Sequence, residues 1–224
     1  MTSADFLDRL LAAEVAAKQE KPVTMRTAMA RFPYRQTFES VNFGSQPSID
    51  RKKIHELATC RFIDHGDNGV LLGPPSTGTT HLAVAMGLKA IHQGYRTLFT
   101  SAMSRIATRT KASAANRLEE RLKQYALPKL LIIDEIGDIP IDQHGAHLFF
   151  QLISRRYERG AIILTANQSV GQWGEVFGNP MIATAILDRL LHHRVVINIK
   201  GDSYRLREKQ KTGLLRKPET PRAS

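Results

Sequence analysis

Five short apolar runs punctuate the chain: Gly69 to Leu72, Thr97 to Thr100, Leu130 to Asp134, Ala161 to Thr165 and Val195 to Ile199. Each is of strand length, and helix-length segments separate them. A strand that reads apolar throughout is covered on both faces, and strands alternating with helices build a parallel sheet. The pattern predicts an α/β fold with helices above and below one sheet.

Ahead of the sheet the period changes. From Ala4 to about Gln19, Phe6, Leu7, Leu10, Leu11 and Val15 fall on one helical stripe, with Pro22 beyond its end. A proline-interrupted aromatic stretch containing Phe32, Tyr34 and Phe38 follows and ends near Pro47. A further helix is expected from Ser48 through Phe62, with Asp50 as a candidate cap. The organisation read from these changes is a helical extension and linker over 1–47, a core over 48–208 and a basic tail over 209–224.

Composition narrows the class. The 224 residues are 42% hydrophobic and 24% charged, enough for a sizeable core. A net charge of +11 points to a polyanionic partner, with nucleic acid favoured over a membrane surface. The lone Cys60 allows no internal disulfide and no multi-cysteine zinc site. Neither a signal peptide nor a membrane span is read from the sequence, so a cytoplasmic protein is expected.

Directly after the strand Val70-Leu71-Leu72 comes Gly73-Pro74-Pro75-Ser76-Thr77-Gly78-Thr79-Thr80, and then a helical pattern from His81. A glycine-bounded turn between a buried strand and a helix N-terminus presents a concave row of N–H donors, which suits phosphate. The spacing fits the P-loop pattern at Gly73, Gly78 and Thr80, but Thr79 stands where that pattern has lysine. The loop residues and His81 are candidate ATP contacts, and Thr80 is a candidate ligand for Mg2+. Taken alone, such a loop is equally well a glycine-rich turn.

Leu130-Leu131-Ile132-Ile133-Asp134-Glu135 supplies what a turn alone does not. A buried strand delivers two carboxylates at its C-terminal end, where open α/β sheets bind ligands. Asp134 suits magnesium, through its water shell, and Glu135 suits polarising a water. Asn167, just past the fourth apolar run, could hydrogen-bond a phosphate or that water, or be an ordinary turn residue.

With these residues in place, the chain resembles the IstB-type helper ATPases of bacterial insertion sequences. Leu71-Leu72-Gly73-Pro74-Pro75, Thr80-His81-Leu82-Ala83, Ser154-Arg155-Arg156-Tyr157-Glu158-Arg159-Gly160, Trp173-Gly174-Glu175-Val176-Phe177-Gly178 and Leu187-Asp188-Arg189-Leu190-Leu191-His192-His193 carry the likeness. The DnaC-type helicase loader is a weaker relative with the same core. The resemblance implies an AAA+ three-layer sandwich with sheet order 5-1-4-3-2. It also implies homo-oligomerisation on double-stranded DNA and delivery of target DNA to an IstA-type transposase. Within it Asn167 would be the sensor residue, and Arg189 the arginine finger reaching a neighbouring subunit's ATP. On sequence alone Arg189 is equally a helix-surface cation. The family's loop has glycine at position 76 and lysine at 79, where this chain has Ser76 and Thr79, which puts ATP hydrolysis in question.

Between the second and third strands Arg105, Arg109, Lys111, Arg117, Arg121 and Lys123 outnumber Glu119 and Glu120. Arg117 and Arg121 lie one helical turn apart, opposite Leu118, Leu122 and Tyr125, so one face can pack while the other presents cations. The resemblance to initiator and loader ATPases assigns those cations to the DNA path; otherwise they form a solvated face. A second basic set runs from Arg194 through Lys200, Arg205 and Arg207 into the tail. Neither set forms a base-reading motif, so phosphate contacts without sequence preference are expected. Three functions remain open: an ATP-switched transposition helper, a nucleotide-independent DNA-binding scaffold, and a helicase loader.

Overall fold

A computed structural model of the chain describes Asp5 and residues 20–41, 43, 48–102, 115–138, 141–192 and 194–199. Helix α1 occupies 20–30. Then come α2 (Arg51–Ala58), α3 (Arg61–His65), β1 (Asn68–Leu72), α4 (Thr79–His92), β2 (Thr97–Ser101), α5 (Ala115–Ala126) and β3 (Leu130–Ile136). The chain continues through α6 (Gln143–Arg156), β4 (Ala161–Ala166), α7 (Trp173–Val176), α8 (Pro180–Leu191) and β5 (Arg194–Asn198). All pairings are parallel, and the order β2-β3-β4-β1-β5 is the predicted 5-1-4-3-2 read from the other edge. Apart from Asp5, the stripe from Ala4 to Gln19, the tail over 209–224 and most of the second basic set lie outside the described residues.

Side chains that alternate across a strand divide this sheet between two cores. Leu131, Ile133, Ile162 and Leu164 join Phe149, Leu152, Ile186 and Leu190 on the α6 and α8 side. Leu130, Ile132, Ala161 and Ile163 join Leu57, Leu82 and Met86 on the α2 and α4 side. Uninterrupted apolar runs were needed because both faces are dry.

The helix expected from Ser48 to Phe62 forms as two. Asp50 caps α2 by accepting from the N–H groups of Lys52 and Lys53. After Ala58 the Thr59 hydroxyl donates to Glu56 O at 2.7 Å, and Cys60 turns left-handed at φ 60°. That turn brings Phe62 and Ile63 into the same core as Leu57. Cys60 is buried, and burial pushes its thiol up to about 11.

Residues before the sheet reach the core through a glycine. A Cβ on Gly87, in the middle of α4, would stand 2.7 Å from both Phe32 Cζ and Ile132 Cδ1. Its absence lets Phe32 sink edge-on against Phe99, with ring centroids 6.2 Å apart. The chain from α1 therefore enters over α4, which carries Tyr34 to the sheet's C-terminal edge.

Arg156 fixes the opposite end. It is 1% exposed, and burial lowers its guanidinium to about 10, leaving it charged at neutral pH. Nη1 donates to the carbonyls of Tyr125, Ala126 and Pro128, and Nη2 to those of Lys129 and Ala161. Five carbonyl dipoles meet a charge with no carboxylate in the cluster, clamping the entry to β3 onto the start of β4. Removing the cation strands several buried acceptors at about 1–3 kcal/mol each. Arg156→Met is therefore expected to lower stability by about 3 kcal/mol or more in urea denaturation. A loss under about 1 kcal/mol would show that water replaces the clamp.

Candidate functional site

The site is assembled at the C-terminal tips of β1, β3 and β4. Gly73 leaves β1 with its N–H on Ala166 O at 3.1 Å. It sits where side chains do not fit: a Cβ would come 2.8 Å from Thr77 Oγ1 and 3.0 Å from Ile199 O. The loop closes on itself, with the Thr77 hydroxyl donating to Pro74 O at 2.7 Å. Two residues then turn left-handed, Ser76 at φ 65° and Gly78 at φ 98°, and Thr79 begins α4. At position 76, where the resembled family's loop has glycine, this left-handed conformation is adopted by a serine, at a cost of about 1–2 kcal/mol.

Loop and Glu135 share one cleft, and Asp134 is buried directly behind the loop's Thr80. The Thr80 hydroxyl donates to Asp134 Oδ1 at 3.0 Å, and the Thr165 hydroxyl to the same oxygen at 2.5 Å. Burial raises the Asp134 carboxyl above its ordinary value, and the two hydroxyl bonds oppose that rise without cancelling it. Glu135 is exposed, lines the cleft, and accepts from Ser101 Oγ at 3.4 Å. β3 runs to Ile136, two residues past the predicted end, because the ladder continues beyond a bulge at the acids.

The cavity measures about 480 Å3. Gly73, Pro75 and the loop from Ser76 to Thr80 form its floor with His81, while Glu135, Asp138, Thr165 and Asn167 face them. Tyr34, Gln36, Ser40, Val41 and Ile49 supply a wall from the segment before the sheet. Tyr34 meets His81 edge-on at 4.9 Å, and Gln36 Nε2 donates to Ser40 Oγ at 2.8 Å. No lysine or arginine is among the described residues that line this cleft. Its charged groups are carboxylates.

The remaining predicted residues lie as follows. The Asn167 amide donates to Asp138 Oδ1 at 2.7 Å, while its own Oδ1 is buried with no hydrogen-bond partner among the described residues. Arg189 lies on α8, away from the cleft lining, half-buried, with Nη1 on Ala185 O at 3.0 Å and its guanidinium 4.7 Å from the Phe150 ring centroid. Arg121 and Lys123 are on α5, whose Leu122 and Tyr125 are buried. A two-pronged ion pair, Arg155 to Glu119 at 2.8 Å on both prongs, fastens α5 to α6. Arg105, Arg109 and Lys111 lie outside the described residues, as does the side chain of Arg117.

Sequence reasoning overlooked Thr165, Ser101, Asp138 and the wall around Tyr34. Thr165 carried a signal, being a polar residue in the otherwise apolar strand Ala161–Ala166. The wall carried none, since it arrives through tertiary packing of Phe32.

A profile of the family described as IstB-like ATP binding protein matches residues 1–212. This chain belongs to that family. It is 48% identical over 217 residues to an IS21 insertion-sequence protein of Pseudomonas aeruginosa, covering 97% of this chain and 82% of that one. It is 46% identical over 206 residues to an IS5376 protein of Geobacillus stearothermophilus, covering 92% and 82%. Both relatives are named as ATP-binding proteins of their elements. Among solved structures, DnaI matches with TM-score 0.64 at 18% identity, over 74% of this chain and 91% of DnaI. AMPPCP-bound DnaA from Aquifex aeolicus matches at 0.59 and 21%, over 84% and 59%. The DnaC helicase loader matches at 0.55 and 19%, over 66% and 87%. These likenesses show the AAA+ P-loop fold. No described helix is long and apolar enough to cross a membrane.

The loop geometry orders two substitutions. Gly78→Ala meets no atom within 4 Å and pays only for its left-handed backbone, about 1–2 kcal/mol. Gly73→Ala strikes backbone and hydroxyl oxygens, so its urea midpoint is expected to fall further than that of Gly78→Ala. The reverse order would show that the loop is not closed as described.

Proposed function

We propose that this protein is an ATP-binding, DNA-binding helper of a transposase, assembling on target DNA and presenting it during insertion-sequence transposition, with ATP hydrolysis impaired by the lack of a loop lysine. One observation carries the nucleotide part: the Thr80 hydroxyl, which lines the cleft, donates at 3.0 Å to the Asp134 carboxylate of β3 buried just behind it. Hydroxyl and carboxylate oxygens are the donors a hard divalent cation takes, and they fit magnesium held against a phosphate chain. The loop's N–H groups and the N-terminus of α4 would hold the phosphates. When bound, magnesium-ATP supplies the phosphoanhydride bond and a cation that screens its charge. Glu135 faces the cleft as an acceptor that would orient a water and take its proton. Asn167 stands beside it as a polar contact.

Thr79 brings a hydroxyl where an ammonium would lie against phosphate, and no described lining residue offers a substitute charge. A missing charge-assisted hydrogen bond is worth about 1.5–3 kcal/mol in binding. A cation from a second copy, with Arg189 the candidate, would then matter more than in a loop with its own lysine. The membership in an insertion-sequence family, the relatives' names and the +11 charge support the transposition reading, with an IstA-type transposase as partner. The all-carboxylate cleft gives the second reading its weight: a scaffold that keeps the fold and binds DNA without nucleotide.

Thr79→Lys combined with Ser76→Gly is expected to tighten magnesium-ATP binding about 10- to 100-fold and raise phosphate release in the presence of duplex DNA. Equal affinity and turnover in wild type and variant would show that the loop does not limit the protein. For DNA, retention on duplex of any sequence should fall at least about tenfold between 50 and 200 mM salt. Arg121→Ala with Lys123→Ala should lower the salt slope by about 2. Salt-insensitive retention would remove the DNA assignment.

A further inference from the structure

Consecutive residues of a strand face opposite sides of its sheet. Asp134 and Glu135 nonetheless reach the same cleft, Asp134 through Thr80 and Glu135 as part of the lining. The ladder shows how. β3 pairs Ile133 with Leu164 and next Ile136 with Ala166, so β3 carries one residue more than β4 across this step. Within the bulge Glu135 is left-handed, at φ 63°.

A bulge removes a backbone N–H from the ladder. Here the Glu135 N–H donates instead to the side chain of Thr165, at 3.0 Å to Oγ1. The same hydroxyl donates a hydrogen bond to Asp134 Oδ1 at 2.5 Å. Thr165 is 2% exposed, and valine would fill its volume equally well. Only the hydroxyl serves both neighbours, as acceptor for one acid's backbone and donor to the other's side chain.

We infer that Thr165 is the positioning residue of this site, its hydroxyl replacing the lost ladder bond so that two successive acids face one ligand. The inference rests on the proposed reading of Asp134 and Glu135 as metal- and water-facing acids. Thr165 also lines the cleft, but in this role it acts through the pair of acids.

The test compares full-length wild type, Thr165→Ser and Thr165→Val, with two readouts. The first is amide hydrogen exchange at Glu135 without ligand, with Ile133 and Leu164 as internal references. The second is magnesium-dependent affinity for a fluorescent ATP analogue. In the valine variant the Glu135 amide is expected to exchange at least about tenfold faster while the reference amides hold, and magnesium-dependent affinity to fall about tenfold. The serine variant should stay within about twofold of wild type in both. Thr165→Ala, which also lacks the hydroxyl, serves if the valine variant does not fold. Serine failing as badly as valine, or undisturbed Glu135 exchange without the hydroxyl, overturns the inference. A wild type that binds no nucleotide sinks the ATP reading by itself, and the exchange comparison still decides the role of Thr165.

Discussion

One buried carboxylate organises the functional end of this molecule. Asp134 accepts a hydroxyl from the start of α4 and another from the tip of β4, joining through one oxygen three elements that are far apart in sequence. Burying an anion is costly unless hydrogen bonds meet it. The raised carboxyl shows that the cost is only partly offset. A cation beside it would offset that residual cost.

Much of this was legible in the chain because the signals are local. Five doubly covered strands need apolar residues on both faces, and alternation between two cores leaves an uninterrupted run in the sequence. The phosphate loop was legible from the Gly73 and Gly78 spacing, and Asp50 from its place before α2. What escaped depended on pairing between strands. The bulge at Glu135 is set by its register against β4, which Leu130-Leu131-Ile132-Ile133-Asp134-Glu135 does not encode by itself. The break in the helix after Ala58 turned on Thr59 competing for a backbone carbonyl. Tyr34 reaches the cleft only because Gly87 leaves room for Phe32. Arg156 stood out only as part of the Ser154 to Gly160 segment that carries the family likeness, yet it is among the most deeply buried side chains of the described residues.

Charge divides this cleft from what its shape suggests. A triphosphate is polyanionic, and the described lining brings carboxylates without lysine or arginine. Backbone N–H groups and a helix dipole attract phosphate, but each contributes less than a full charge. Among the described residues no cation of this chain meets such a charge at the cleft. Under the proposed reading DNA would lie elsewhere, on surfaces such as α5, where cations outnumber acids.

The most direct test of a shared cleft is paramagnetic. Mn2+ bound with ATP broadens amide resonances close to it. If loop and acids hold one metal-nucleotide complex, the amides of Gly78 to Thr80 and those of Asp134 and Glu135 should broaden together on titration, and both effects should vanish in Asp134→Asn. Broadening of only one segment, or of neither at concentrations where ATP is bound, would contradict the shared site.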